Sequence, residues 1–386
     1  MKIRTVSTIF LILTLLGCAL PPAAGSKSDS CKSIVEAGLN TYSSAAVPTV
    51  AKGFYREHLW YNVYTRPGIY FNSTVNDKNA VRVLAVGDSW FAYPKNLLFL
   101  DFLFGDRSNL LTNLASPDGS PHLLILSLSN SGELISNMAG IAMKNKDECE
   151  NSVQNKVSIP GAIVSAMIKA QEINAPFEYI ILSGGGNDLL IENRIKRILK
   201  LVDCRKDDSY DKCFDINVLK EYIDRVGIAY LKLIELITSN SKFNGVKIIT
   251  HTYDNFIPMP KGASFLAGLI QKGHEGWLYP ELKNHKMDDG RGQDFAKRVV
   301  CELRNKLLEI ERTHSSNFLV VDTVGTFSKA AETESTNISK VYESKFWLNE
   351  IHPTSEGFKL ISNKIDQAIR TDREGGARQE NSRRKC

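Results

Sequence analysis

Three stretches of the chain carry reactive side chains at points where an apolar run gives way to a turn. Residues 81 to 94 read Val-Arg-Val-Leu-Ala-Val-Gly-Asp-Ser-Trp-Phe-Ala-Tyr-Pro, and residues 178 to 188 read Glu-Tyr-Ile-Ile-Leu-Ser-Gly-Gly-Gly-Asn-Asp. Near the other end, residues 347 to 358 read Trp-Leu-Asn-Glu-Ile-His-Pro-Thr-Ser-Glu-Gly-Phe. Acyl transfer through serine needs a hydroxyl, a base to take its proton and donors for the oxyanion. Ser89, Asn187 and His352 are residues of those types. Each stretch also has a plainer reading. Gly87, Asp88 and Ser89 are all ordinary turn formers, and three glycines ahead of a helix could cradle a phosphate. A phosphate loop would continue into Lys-Ser or Lys-Thr, whereas this one continues Asn187-Asp188-Leu189-Leu190. A neutral amide suits an oxyanion better than it suits a phosphate.

The elements that must position these groups follow from periodicity. Val81 to Val86 is a β-branched apolar run of the kind buried on both faces of a parallel sheet. Leu123–Leu128, Tyr179–Leu182, Val246–Thr250 and Phe318–Asp322 read as further strands. Between them, helices are predicted over Gly161–Ile173, 214–238, Gln293–Arg312 and about Ser355–Ile369. Strands alternating with helices indicate an α/β fold with a mostly parallel sheet flanked by helices. In such sheets ligands bind outside the carboxyl ends of the strands, where Ser89 and Asn187 fall. Residues 255–290 are rich in Pro and Gly with apolar residues between, and are expected to form an irregular insertion or lid.

Gly-Asp-Ser, then Gly-x-Asn-Asp, then His-Pro, in that order over roughly residues 81 to 370, resemble the SGNH (GDSL-like) hydrolase family. The resemblance implies a flavodoxin-like three-layer SGNH hydrolase fold and a serine esterase chemistry. It assigns Ser89 as nucleophile and His352 as general base and then acid. The oxyanion donors would be the Ser89 N–H, the N–H of Gly132 in Ser129-Asn130-Ser131-Gly132-Glu133, and the Asn187 side chain. Gly132 could equally be a plain turn glycine. Trp90, Asp188, His251, Tyr253 and Trp277 are candidates for lining the substrate site or its lid. His251, at a strand end, is the rival for the catalytic histidine, but it reads as a site-lining or structural histidine because its surroundings match no family histidine motif. Asp88 is expected to serve the turn or a hydrogen bond. The Gly-x-Ser-x-Gly elbow of α/β-hydrolases is absent.

One position departs from the family. The usual motif is Asp-x-x-His, but residue 349 is Asn. An amide oxygen can hold the imidazole tautomer but brings no charge to the imidazolium, and the equivalent exchange in a serine protease lowers kcat by about 10⁴. Three options stand, in this order: a Ser–His dyad oriented by Asn349 or a backbone carbonyl; a substitute carboxylate from Glu350 or Asp322; or an inactive member of the family.

Composition narrows the class. With 386 residues, 43% hydrophobic and 24% charged, the chain can bury a substantial core. A net charge of +5, with several cations at the extreme ends and no basic stripe, gives nucleic-acid binding no support. No Cys-x-x-Cys or His-Glu-x-x-His pattern suggests a metal, and the chemistry calls for no cofactor.

Lys2 and Arg4 ahead of the apolar run Ile9–Leu16 read as an export signal. Leu15-Leu16-Gly17-Cys18 looks like a bacterial lipobox, which would leave a lipidated Cys18 as a membrane anchor. Cleavage after Ala23-Ala24-Gly25 would instead give simple secretion. The expected organisation is a signal peptide at 1–18, a tether at 19–30 and an N-terminal extension packed on the main domain at 31–80. The hydrolase-like domain follows at 81–370, then a disordered polar tail at 371–386. Of the six other cysteines, Cys204 and Cys213 close a short loop and are the expected bridge.

The expected activity is hydrolysis of a carboxylic ester, an acyl lipid or an O-acetylated glycan, by an exported cell-envelope lipoprotein or secreted enzyme. Acyl transfer to a sugar acceptor, and a non-catalytic surface lipoprotein with an eroded site, are the competing readings.

Overall fold

The structure is a computed structural model. It describes residues 63–64, 70–72, 77, 79–92, 109–115, 123–141, 159–190, 192–200, 202–205, 208–261, 264–265, 270–271, 276–334 and 345–376. All belong to the compact unit Tyr42–Cys386. The proposed signal peptide, Cys18 and the tether lie outside the described residues.

Six parallel strands form the central sheet: β1 Val63–Tyr64, β2 Val81–Gly87, β3 Leu123–Ser127, β4 Tyr179–Ser183, β5 Lys247–His251 and β8 Phe318–Val321. Their spatial order is β1-β3-β2-β4-β5-β8. Without β1, the remaining five strands run 2-1-3-4-5 in chain order, the flavodoxin-like arrangement, whose switch point lies between β2 and β4. Every residue of β4 and all of β2 except Arg82 are buried, so apolar side chains fill both faces and no polar alternation marks these strands. Val83 pairs with Ile125 on one side and Tyr179 on the other.

Helices cover the sheet in two groups. In one, Ile216–Thr238 packs against Ile159–Glu172 and Asp289–Thr313. In the other, Ser355–Arg373 packs against Leu110–Leu114 and Thr326–Glu334. Leu219, Tyr222, Ile223, Val226, Tyr230, Leu233 and Ile237 recur at helical spacing and are buried. Asp215, Asp288 and Thr354 start their helices by accepting backbone N–H groups in the first turn. This is the three-layer α/β architecture that the resemblance implied. No helix among the described residues is long and apolar enough to cross a membrane.

Several boundaries differ from expectation. In the segment expected to be irregular, Tyr279–Asn284 is helical, and the next helix begins at Asp289, four residues before Gln293. A short antiparallel pair, β6 Ser264–Phe265 with β7 Ile270–Gln271, lies ahead of them. The last helix continues through Arg373 into the span expected to be a disordered tail. It is held there because Asp372 accepts from the Tyr179 hydroxyl and from Lys247, and Arg373 pairs with Glu178. Within the expected N-terminal extension, Val63 pairs with Ile125 as an added edge strand, and Tyr70 is buried and stacked on Phe177. Cys204 and Cys213 are joined by a disulfide with Cα atoms 5.7 Å apart. Of the described residues, Cys204, Asp208 and Cys213 form a group of metal-ligand types, but the disulfide leaves no thiolate there.

Candidate active site

Ser89 follows β2 as the first residue of the short helix Ser89–Ala92. Its turn is held from both neighbouring strands. The Asp88 N–H donates to the Ser183 carbonyl at the end of β4, and the Asn130 N–H beyond β3 donates to the Gly87 carbonyl, both at 3.0 Å. Gly87 is required by close approach, since a Cβ there would lie 2.6 Å from the Phe91 ring and 2.9 Å from Ser183 Cβ. The Ser89 side chain therefore stands at the switch point, on the rim shared by β2, β3 and β4.

Asp88 is buried directly behind it. Its Oδ1 accepts from the Ser183 hydroxyl at 2.8 Å and the Trp90 N–H at 3.0 Å, and its Oδ2 accepts from the Tyr253 hydroxyl at 2.5 Å. His251 extends this chain. Its Nδ1 accepts from the Tyr253 N–H at 3.2 Å, which places the proton on Nε2, 3.0 Å from Ser183 Oγ. The polar relay thus runs His251 to Ser183 to Asp88. Tyr253 takes φ 59°, a left-handed conformation that costs about 1–3 kcal/mol in a residue with a side chain and persists where surroundings over-determine it. Burial pushes Asp88 up to about 6, though its three donors oppose the rise, and burial pushes His251 down to about 3.

The rim beyond β3 and β4 joins two more expected groups. Asn187 Nδ2 donates to the Glu133 carbonyl at 2.9 Å, fixing the amide beside the Gly132 turn. An amide nitrogen carries two hydrogens, so the second N–H of Asn187 remains for another acceptor. Gly132 takes φ 79°. Asp188 is placed differently from the substrate-facing role expected of it. It is buried, accepting from Ile135 N at 2.8 Å and Ser136 Oγ at 2.8 Å, with Arg194 3.9 Å away. Its role is to brace the β3 and β4 loops.

His352 lies in a tight turn between β8 and the last helix. Asn349 Oδ1 accepts from His352 N and His352 Nδ1, each at 3.0 Å, and from Ile351 N at 3.2 Å. The same amide oxygen therefore shapes the turn and orients the ring. Holding the proton on Nδ1 leaves the lone pair on Nε2. Pro353 and Thr354 then end the turn, with Thr354 capping the following helix. Burial lowers His352 to about 3.

The alternative orienting carboxylates are occupied elsewhere. Asp322 is paired with Arg304 at 2.8 and 3.0 Å. Glu350 is taken up by three backbone amides. It accepts from Leu278 N at 2.8 Å, Tyr279 N at 2.7 Å and the Trp277 N–H, so it clamps the start of helix Tyr279–Asn284. That clamp sets the edge of Trp277 against the His352 ring, with centroids 5.5 Å apart.

Trp90 joins the two halves of the site. Its indole N–H donates to the Ile351 carbonyl at 3.0 Å, and its ring stacks on His251 and meets Tyr253 and Phe358 edge-on. His251, one of the candidates for lining the site, is fully buried beneath Trp90 and serves the network behind the serine. A partly open, largely apolar cavity adjoins the rim and is lined by Ser89, Asn187, Tyr253 and Ile351 among others. Asp254 and Ser183, which sequence patterns did not single out, complete the buried polar layer. Their position after a strand was the one available signal.

No protein-family model and no curated protein matches the chain. Among solved structures it is similar to the extracellular lipase from Streptomyces rimosus, at 13% identity, covering 75% of this chain and 100% of that one, with TM-score 0.38. It is also similar to the lipase/acylhydrolase from Enterococcus faecalis, at 13% identity, 76% and 96% coverage and TM-score 0.34. A third is phospholipase A1 from Streptomyces albidoflavus, at 12% identity, 75% and 99% coverage and TM-score 0.34.

Proposed function

We propose that this chain is a serine ester hydrolase of the SGNH type that works through an acyl-enzyme on Ser89. The observation that carries the reading is the 3.0 Å contact between Asn349 Oδ1 and His352 Nδ1, in a turn braced to the serine turn by Trp90. In this mechanism His352 Nε2 takes the Ser89 proton as Oγ attacks the ester carbon. The negative oxygen of the tetrahedral intermediate is met by the N–H groups of Ser89 and Gly132 and by the second N–H of Asn187. Collapse expels the alcohol, which takes the proton from the imidazolium. Water then repeats the sequence on the acyl-enzyme and releases the acid. Asn349 supplies orientation without charge.

Export belongs to the same proposal, supported by Lys2, Arg4 and the apolar run ending at Cys18, with lipidation of Cys18 as the means of attachment. The test of the reaction is turnover of a p-nitrophenyl ester by the wild type and by Ser89→Ala. Loss of turnover in a variant with an unchanged circular dichroism spectrum supports the assignment, and retained turnover refutes it.

A further inference from the structure

We infer that Glu350 is a positioning residue for the hydrolase and acts through Trp277. It ties that indole against His352 as a cover that keeps water off the catalytic base, so the base stays neutral and able to work in acid. The inference rests on the hydrolase reading and gives a role to a carboxylate that the reaction itself leaves unused.

The turn that carries the base divides two tasks between adjacent residues. Asn349 accepts from His352 Nδ1 at 3.0 Å and orients the ring. Glu350 is fully buried, and three successive amides take up its carboxylate. Its Oε2 accepts from the Trp277 N–H and, at 2.8 Å, from the Leu278 N–H, while Oε1 accepts from the Tyr279 N–H at 2.7 Å. The approach leaves no room for a side chain at the preceding residue. Gly276 takes φ 87°, and a Cβ there would lie 2.7 Å from Glu350 Oε2 and 2.8 Å from the Met259 carbonyl oxygen. The Glu350 N–H donates to the Lys261 carbonyl at 3.3 Å, so the backbone on both sides of the β6–β7 pair is fastened to this one residue.

The clamp sets the Trp277 and His352 rings at 77°, with centroids 5.5 Å apart. His352 is 3% exposed whereas Trp277 is half-buried, so the indole meets the solvent that the imidazole does not. Burial pushes Glu350 up to about 7, and a carboxylate kept at that cost is held for what its bonds position. Burial is also what lowers His352 to about 3, since Asn349 and Trp277 beside it are neutral. Of the carboxylates in the two turns, Asp88 is bound by Ser183, Trp90 N and Tyr253, and Glu350 by its three amides. A negative charge favours the imidazolium, so loss of the Glu350 charge alone would move His352 further down, whereas loss of the cover moves it up. The two effects differ in sign.

The experiment compares the wild type, Trp277→Ala, Glu350→Gln and the double variant, each as the full chain, by two readouts. The first is the acid limb of kcat/KM for p-nitrophenyl butyrate. The second needs no turnover: it is the rate at which diethylpyrocarbonate modifies His352, read by peptide mass spectrometry, with the fully buried His251 as the control for general loosening. Both single variants should move the acid limb up by about one pH unit or more. Both should speed modification of His352 by about tenfold or more while His251 stays slow. The double variant should match Trp277→Ala, because Glu350 acts through the indole. Glu350→Gln keeps the shape of the side chain and Trp277→Ala alters a half-buried one, so a folding failure in either leaves the other to decide. An acid limb that stays or moves down in Glu350→Gln, an unchanged rate at His352 in Trp277→Ala, or His251 reacting as fast as His352 would overturn the cover while leaving the hydrolase reading intact. No cleavage of any ester by the wild type, together with no labelling of Ser89 by a fluorophosphonate, would overturn the hydrolase reading and this inference with it.

Discussion

The indole N–H of Trp90 donates to the carbonyl of Ile351 across 3.0 Å, joining two residues 261 positions apart. Trp90 directly follows Ser89, and Ile351 directly precedes His352. This one bond therefore sets the serine turn against the histidine turn, and the indole ring between His251, Tyr253 and Phe358 prevents either from rotating. Trp90→Phe keeps an aromatic ring but leaves the Ile351 carbonyl without its donor. We expect a loss of about 1–3 kcal/mol in urea unfolding. Turnover should fall mainly in kcat, since the lost bond is the one that sets the serine turn against the histidine turn.

Asn349 is the position where the family pattern and this chain part, and two substitutions separate orientation from charge. Asn349→Ala removes the acceptor for His352 Nδ1 and should lower kcat by about 10²–10⁴. Asn349→Asp keeps an acceptor at the same place and adds the missing charge, so kcat at neutral pH should rise by more than about tenfold. A gain in the alanine variant, or a loss in a folded aspartate variant, would show that Asn349 does not orient the base.

The pH profile follows from the burial of His352. Its pKa in the folded chain is lowered to about 3, so the imidazole stays neutral, and able to accept a proton, well below 6.5. The acid limb of kcat/KM for the wild type should lie far below pH 6.5. In Asn349→Asp the neighbouring negative charge favours the imidazolium and moves that limb upward. Stopped assays over pH 4–9, with circular dichroism at each pH, read both limbs.

Tyr253→Phe probes the buried layer behind the serine. The Tyr253 hydroxyl is a donor to Asp88 and holds its pKa down, against burial that has raised it to about 6. Because the folded pKa lies above the ordinary carboxylate value, Asp88's contribution to stability is complete at low pH. It is lost as pH rises through about 6. Removing the hydroxyl raises the folded pKa further, so the cost of the substitution should be larger at pH 8 than at pH 5. The extra cost at pH 8 should be on the order of 1–3 kcal/mol. Equal costs at the two pH values in urea titrations would mean that Asp88 does not ionise in the folded chain.

Asn187→Ala tests the proposed oxyanion donor. Loss of one such donor costs about 10²–10³ in kcat. The same substitution breaks the tie to the Glu133 carbonyl, so Asn187→Asp serves as its partner: both variants should lose kcat. KM should change little in either, if the amide acts on the transition state.

Much of this was legible in the sequence because buried parallel strands advertise themselves as short apolar runs, and Ser89 and Asn187 each follow one. The flavodoxin-like strand order was what the family resemblance implied, and the observed order β3-β2-β4-β5-β8 agrees with it. What was not legible depends on contacts between distant strand ends. The path from His251 through Ser183 to Asp88, closed by Tyr253, needs the ends of β2, β4 and β5 to be adjacent, and no spacing along the chain encodes that. The choice among Asn349, Glu350 and Asp322 was open for the same reason: all three can accept, and only geometry assigns Glu350 to the 277–279 amides and Asp322 to Arg304. Gly290 and Gly292 hid the early start of the long helix. Asp288 caps it nonetheless, and Leu282 packs where a Gly292 side chain would stand. The edge strand Val63–Tyr64 is too short for any period to announce it.

The central claim is that Ser89 carries an activated hydroxyl, and a fluorophosphonate tests it without knowledge of the substrate. Incubation of the full chain followed by peptide mass spectrometry should give one adduct on Ser89, absent from Ser89→Ala and formed at least about 100-fold more slowly in His352→Ala. A folded wild-type chain that takes no adduct, or takes it on another residue, would contradict the account.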